Sequence, residues 1–327
     1  MINSFNKYKF IVSSLFGLLI VVMSPAYAFD DNANAKDVAD KLNELYSRTK
    51  PCDNNEPAYY CSGIVIHGQE VPVKDDNDNL ISSWYLPTSR NVESYSYLRA
   101  DITPRSGEPI YINTGFILTP VDELEAHKQF QYKVYCVYPV DGGTFGNADT
   151  SCKFSDSNYA GVVVDSKDIR SVNDYITKLL DNPTEPEWQA TMGPAFLADK
   201  NGFDLAMQIH QYVFKDHLNK VSKHQCLSKT RCKVHNELII STWEESKVAP
   251  EQVPVMAFFA IINDDQNPMF ERTGRTSTSD AEMKQLFKDA DDYAKAAHYS
   301  RSIPVVTIDM AKLRSGARDI FEPAVRP

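Results

Sequence analysis

The chain has 327 residues, of which 34 are Lys or Arg and 44 are Asp or Glu, for a formal charge of −10. That sign argues against a nucleic-acid or anionic-membrane binder, either of which concentrates basic residues on one surface, and no basic run interleaved with aromatics occurs. An apolar share of 43% and the absence of low-complexity tracts allow a full hydrophobic core.

Lys7 and Lys9, an apolar run over residues 10–23, and Ala26-Tyr27-Ala28 follow the layout of a cleaved secretory signal. The expectation is a signal peptide over 1–28 and one catalytic α+β domain over 29–327, secreted or periplasmic, with 32 basic and 44 acidic residues after cleavage. No later stretch approaches the roughly 18 apolar residues of a membrane span.

Residues 35–48 place Val38, Leu42, Leu45 and Tyr46 on one helical face. Strand-like runs follow at 62–67, 95–101, 114–118, 132–139 and 161–164, each rich in β-branched or aromatic residues. The tip at 75–79 (DDNDN) lacks the Gly and Glu of a calcium loop and reads as a hairpin turn. A seam is placed at 181–186 (DNPTEP). Helical spacing marks 171–180, 203–218 and 280–298, the last capped by Ser279 or Asp280, and buried strands are expected at 255–262 and 303–308. Strands that do not alternate regularly with helices predict α+β: a largely antiparallel sheet in the first half, with helices concentrated in the second.

The six cysteines fall as three local pairs, Cys52 with Cys61, Cys136 with Cys152, and Cys226 with Cys232. In an exported chain this suggests three disulfides closing short loops, although six cysteines allow fifteen connectivities. No Cys-x-x-Cys supports zinc, and no metal or cofactor is expected. A phosphate loop, a Gly-x-Ser-x-Gly elbow and a His-Glu-x-x-His motif are all missing. Residues 142–146 (GGTFG) lack the dinucleotide fingerprint and read as a turn.

Three polar insertions into apolar strands remain. His67 ends a strand beside Gly68, and a hydrogen-bonded structural histidine explains it as well as a ligand contact does. Period two puts Tyr95, Tyr97 and Arg99 on one face, which suits a planar anionic ligand, while an Arg99–Asp101 ion pair accounts for the same pattern. Asn236 and Glu237 open a strongly apolar run, where Glu237 is either a buried functional acid or a capping glutamate.

These segments also carry a family resemblance. Cys52 with Pro57-Ala58-Tyr59-Tyr60-Cys61-Ser62-Gly63, Ser96-Tyr97-Leu98-Arg99-Ala100-Asp101, Asn113-Thr114-Gly115-Phe116-Ile117, Cys136-Val137-Tyr138-Pro139-Val140-Asp141, and Asn236-Glu237-Leu238 through Trp243 to Ala257-Phe258-Phe259 resemble halovibrin-like secreted proteins of Gram-negative bacteria. The resemblance implies an exported NAD glycohydrolase, also regarded as an ADP-ribosyltransferase, that takes NAD as substrate and has a possible host protein target. The chain departs from such relatives at His67, where they tend to carry arginine. Ile66-His67-Gly68 and Ser277-Thr278-Ser279 also resemble elements of ADP-ribosylating toxins, without the Glu-x-Glu of one toxin class.

Cleaving the N-glycosidic bond builds positive charge on the ribose while nicotinamide leaves as a neutral base, so a carboxylate near the ribose is the main requirement. On the implied activity Glu237 stabilises that cation and His67 holds the ribose. Arg99 pairs with pyrophosphate, Tyr97 or Trp84 stacks on a ring, and Asn236 contacts substrate. Two other readings stand beside it: a non-enzymatic, disulfide-stapled host-interaction protein, and a glycan hydrolase using Glu244 and Glu245, whose side chains diverge on either a strand or a helix.

Overall fold

The computed structural model describes residues 35–68, 73–74, 80–81, 93–103, 110, 113–125, 132–139, 169–177, 196–213, 236–241, 254–264, 277–296 and 302–327. The strands are β1 (Ile64–Gly68), β2 (Val73–Lys74), β3 (Leu80–Ile81), β4 (Glu93–Leu98), β5 (Thr114–Leu118), β6 (Lys133–Tyr138), β7 (Phe196–Leu197), β8 (Glu237–Ser241), β9 (Val255–Ile262), β10 (Val305–Asp309) and β11 (Phe321–Pro323). The helices are α1 (Ala35–Ser47), α2 (Val121–Glu125), α3 (Val172–Tyr175), α4 (Lys200–Tyr212), α5 (Asp280–Ala296) and α6 (Met310–Ser315).

Nine strands form one sheet in the order β11-β10-β9-β5-β1-β4-β8-β6-β7, and the fold is α+β. Every pairing in it is antiparallel except β9 with β10, which are joined through α5. The sheet takes strands from both sides of the predicted seam, which itself lies outside the described residues. So does the expected strand at 161–164. β2 and β3 pair antiparallel around residues 75–79, which are also outside the described set.

Both faces are covered, because alternation along the strands sends apolar residues both ways. Ile64, Ile66, Leu98, Ile117, Phe259 and Val306 meet Leu42 and Leu45 of α1 on one face. Val65, Tyr95, Tyr97, Phe116, Phe258 and Leu238 meet Phe203 of α4 and Leu286 and Ala290 of α5 on the other. α1 is tied to the sheet edge by Asn43, whose Nδ2 donates to the Phe321 carbonyl and whose Oδ1 accepts from the Phe321 N–H, both at 2.9 Å.

α5 starts at a reciprocal cap: the Glu282 N–H donates to Ser279 Oγ at 3.3 Å, and the Ser279 N–H donates to the Glu282 carboxylate at 2.7 Å. Of the two expected caps, Ser279 is the one used. Cys52 and Cys61 are disulfide-bonded with Cα atoms 5.6 Å apart, closing a loop of two 3-10 turns (Asp53–Asn55 and Ala58–Tyr60). Cys136 is also disulfide-bonded; its partner lies outside the described residues, as do Cys152, Cys226 and Cys232.

Candidate functional site

β8 carries Glu237 at its head, 3% exposed. Leu238 and Ile240 pack with Tyr95 and Tyr97, so alternation turns Glu237 to the opposite face. One step on from the Tyr95–Leu238 pair stands Ser96 beside Glu237, and Tyr138 pairs with Glu237 from the other side. Ser96 and Tyr138 are both buried. The α1-side face, apolar under the helix, thus becomes polar along Ser96, Glu237 and Tyr138.

His67 belongs to the other face. Its ring lies between Tyr95 and Phe116, with centroids 5.1 and 5.2 Å away, and it is half-buried. Pairings run from Val305 through Phe258 and Phe116 to His67, and from Tyr95 through Leu238 and Val137 to Phe196. His67 thus stands in a row of otherwise aliphatic and aromatic side chains that crosses eight strands. The sheet therefore does not bring His67 and Glu237 together, since one ligand lying on one face cannot touch both.

Arg99 leaves the tyrosine stripe. β4 ends at Leu98, and residues 99–103 form a turn in which the Ile102 and Thr103 N–H groups donate to the Arg99 carbonyl while the Arg99 N–H donates to Thr103 Oγ1. The guanidinium grips Asp101 with two bonds, Nε to Oδ1 at 2.7 Å and Nη2 to Oδ2 at 3.1 Å. Burial works against its charge, but Tyr97 and Asp101 beside it outweigh that and hold its pKa above the ordinary value. Pyrophosphate binding by Arg99 requires displacing Asp101.

Tyr97 is fully buried, its ring edge-on to Phe203 with centroids 5.1 Å apart and its hydroxyl donating to the Ser62 carbonyl at 2.9 Å. Burial pushes its pKa up to about 12. The expected stacking on a ligand is corrected here, because the ring has no free face. Asn236, also fully buried, bonds the Tyr97 backbone through its side-chain amide. Trp84, Glu244 and Glu245 lie outside the described residues.

The hydroxyls at 277–279 serve the backbone. Ser277 Oγ accepts from the Asp264 N–H, and Thr278 Oγ1 accepts from the Ile261 N–H and donates to the Asn113 carbonyl. With Ser279 capping α5, these residues splice β9 to the helix, and the toxin-like triplet has a structural role.

Two acidic sites were not anticipated. Asp264, its side chain fully buried, receives Arg314 Nη1 at 2.7 Å, while Arg314 Nη2 donates to the Asn263 carbonyl. Fifty residues separate that pair, and no local pattern announces it. Asp289, 1% exposed, accepts from Gln285 Nε2 at 2.7 Å. Arg326 grips Asp291 and lies over Phe287 on the flank of α5 near β11, and helical geometry puts the buried Gln285 and Asp289 on the other flank of a helix that packs on β9 and β10. The four-residue spacing beside Leu286 and Ala290 was the available signal.

Among the described residues no group of three or more His, Cys, Asp or Glu could hold a metal ion, and no helix is long and apolar enough to cross a membrane. Compared with protein-family models, curated proteins and solved structures, the chain matches none of them.

Proposed function

We propose that the chain is an exported enzyme that cleaves NAD at the nicotinamide–ribose bond, with Glu237 as the carboxylate that meets the reacting ribose. The observation that carries this reading is the buried Glu237 carboxylate in a polar row on an otherwise apolar sheet face. A negative charge held away from water interacts with a developing oxocarbenium ion far more strongly than one in solvent. In hydrolysis the C–N bond breaks with its electron pair going to nicotinamide. Water then adds to the ribose carbon and releases a proton, giving ADP-ribose. In ADP-ribosyl transfer a nucleophile on a host protein takes the place of that water.

The halovibrin-like residue blocks supply the substrate class and the expectation of export, with cleavage near Ala28. His67, on the opposite face, does not share a subsite with Glu237 in this scheme, and Arg99, Tyr97 and Asn236 act in the fold. That last observation also favours the second reading, a non-enzymatic secreted interaction protein, because three side chains assigned to ligand binding are engaged internally. Incubating the purified exported protein with NAD and following nicotinamide release decides between them. Release supports the enzyme; none, from protein with its disulfides intact, supports the interaction protein.

A further inference from the structure

We infer that Asn236 is a positioning residue for Glu237, supplying backbone-like hydrogen bonds from a side chain. The Tyr97 N–H donates to Asn236 Oδ1 at 2.7 Å, and Asn236 Nδ2 donates to the Tyr97 carbonyl at 2.9 Å. A hydrogen-bonded antiparallel pair exchanges the same two bonds between backbones. The β4–β8 ladder runs Glu93–Ile240, Ser94–Ile239 and Tyr95–Leu238 and stops there. Two residues further along each strand stand Tyr97 and Asn236, so the amide takes over where backbone pairing ends.

This clamp settles something the apolar pattern leaves open. Leu238, Ile239 and Ile240 are all buried, so β8 is apolar on both faces and its hydrophobicity does not specify its register. A slip of one residue would move Glu237 to the tyrosine face. Asn236 immediately precedes Glu237, and both it and Tyr97 are sealed from water. While the amide holds Tyr97, the Glu237 carboxylate stays beside Ser96. The same device occurs at Asn43 and Phe321, where it fixes α1 to an edge strand.

The role rests on the reading of Glu237 given above, so the test separates the two. Nicotinamide release from NAD is measured for the wild type, Asn236→Ala and Asn236→Asp, with amide hydrogen exchange read at Tyr97. The Asp variant keeps the acceptor for the Tyr97 N–H but sets an oxygen against the Tyr97 carbonyl, and it stands in if the Ala variant does not fold. A positioning role predicts kcat down by about tenfold to a hundredfold with KM nearly unchanged, and faster exchange at Tyr97. A raised KM with slow Tyr97 exchange would make Asn236 a substrate contact and overturn the inference, as would unchanged kcat and KM. Fast Tyr97 exchange in the wild type overturns it without reference to activity. Absence of nicotinamide release from the wild type removes the NAD reading and the positioning role with it.

Discussion

Gly63 lies directly beneath the Tyr97 ring: a Cβ there would stand 2.3 Å from Tyr97 Cζ and from its hydroxyl oxygen. The Gly63 backbone also sits at φ +69°, a region that side chains other than glycine enter at a cost. The Cys52–Cys61 loop thus delivers a residue without a side chain to the point where the core tyrosine needs room. Gly63→Ala combines backbone strain with overpacking and should lower stability by roughly 2 to 5 kcal/mol. Denaturant unfolding checks this; a loss below about 1 kcal/mol would mean that the Tyr97 ring moves aside freely.

Two neighbouring tyrosines make a controlled pair. The Tyr59 hydroxyl donates to the Ala198 carbonyl at 3.0 Å, holding the 3-10 turn against the start of α4. Among the described residues the buried Tyr132 hydroxyl has no hydrogen-bond partner. Tyr59→Phe strands a buried carbonyl and should cost about 1 to 3 kcal/mol, whereas Tyr132→Phe removes an unsatisfied group and should be neutral or stabilising by up to about 1 kcal/mol. Thermal unfolding of both variants tests the contrast, and equal losses would show that Tyr132 has a partner.

Burial raises the Tyr46 and Tyr97 hydroxyls from the usual 10.0 to about 12, and raises Tyr59 and Tyr175 further. A group whose pKa is higher folded than unfolded contributes stability that is complete below the unfolded value and is lost as pH rises through the folded one. Stability should therefore fall between about pH 10 and 12, with phenolate absorbance from these rings appearing together with loss of structure. Full ionisation of all tyrosines in a folded chain would contradict their burial.

Elements with a clear period were legible from composition. Thr114–Leu118 and Val255–Ile262 are short apolar runs between turn formers, and Ala35–Ser47 shows its stripe through Val38, Leu42 and Leu45. Site geometry was not. Tyr95, Tyr97 and Arg99 alternate correctly for one strand face, yet Thr103 captures the Arg99 amide and Asp101 its guanidinium, and the strand stops at Leu98. Glu237 could not be assigned a face because Leu238, Ile239 and Ile240 give β8 no alternation. What orients it is a bond between residues 139 apart in sequence.

That geometry sets the outcome expected of Arg99→Lys. An ammonium cannot reproduce the two-pronged contact with Asp101, and the Arg99 side chain is only 14% exposed while Asp101 is 41% exposed. Solvent screening at Asp101 limits the expected loss to about 1 kcal/mol. KM for NAD should stay unchanged if Arg99 serves the turn. A raised KM with unaltered stability would instead return Arg99 to the pyrophosphate, with Asp101 displaced when substrate binds.

The decisive substitution is Glu237→Gln. It keeps the shape of the side chain and much of its hydrogen bonding, so β8 should retain its pairings with β4 and β6. Only the charge beside the Ser96–Tyr138 row is lost. If that charge faces the oxocarbenium ion, nicotinamide release should fall about 10² to 10³-fold, the usual effect of removing a preorganised electrostatic partner. Binding of NAD in the ground state depends less on it, so the loss should appear in kcat. A glutamate that merely supports the sheet predicts the opposite pattern, a change in unfolding free energy with turnover intact. Wild-type-like release from Glu237→Gln would sink the assignment and direct attention to Asp289, the buried carboxylate that α5 turns inward on the face carrying His67.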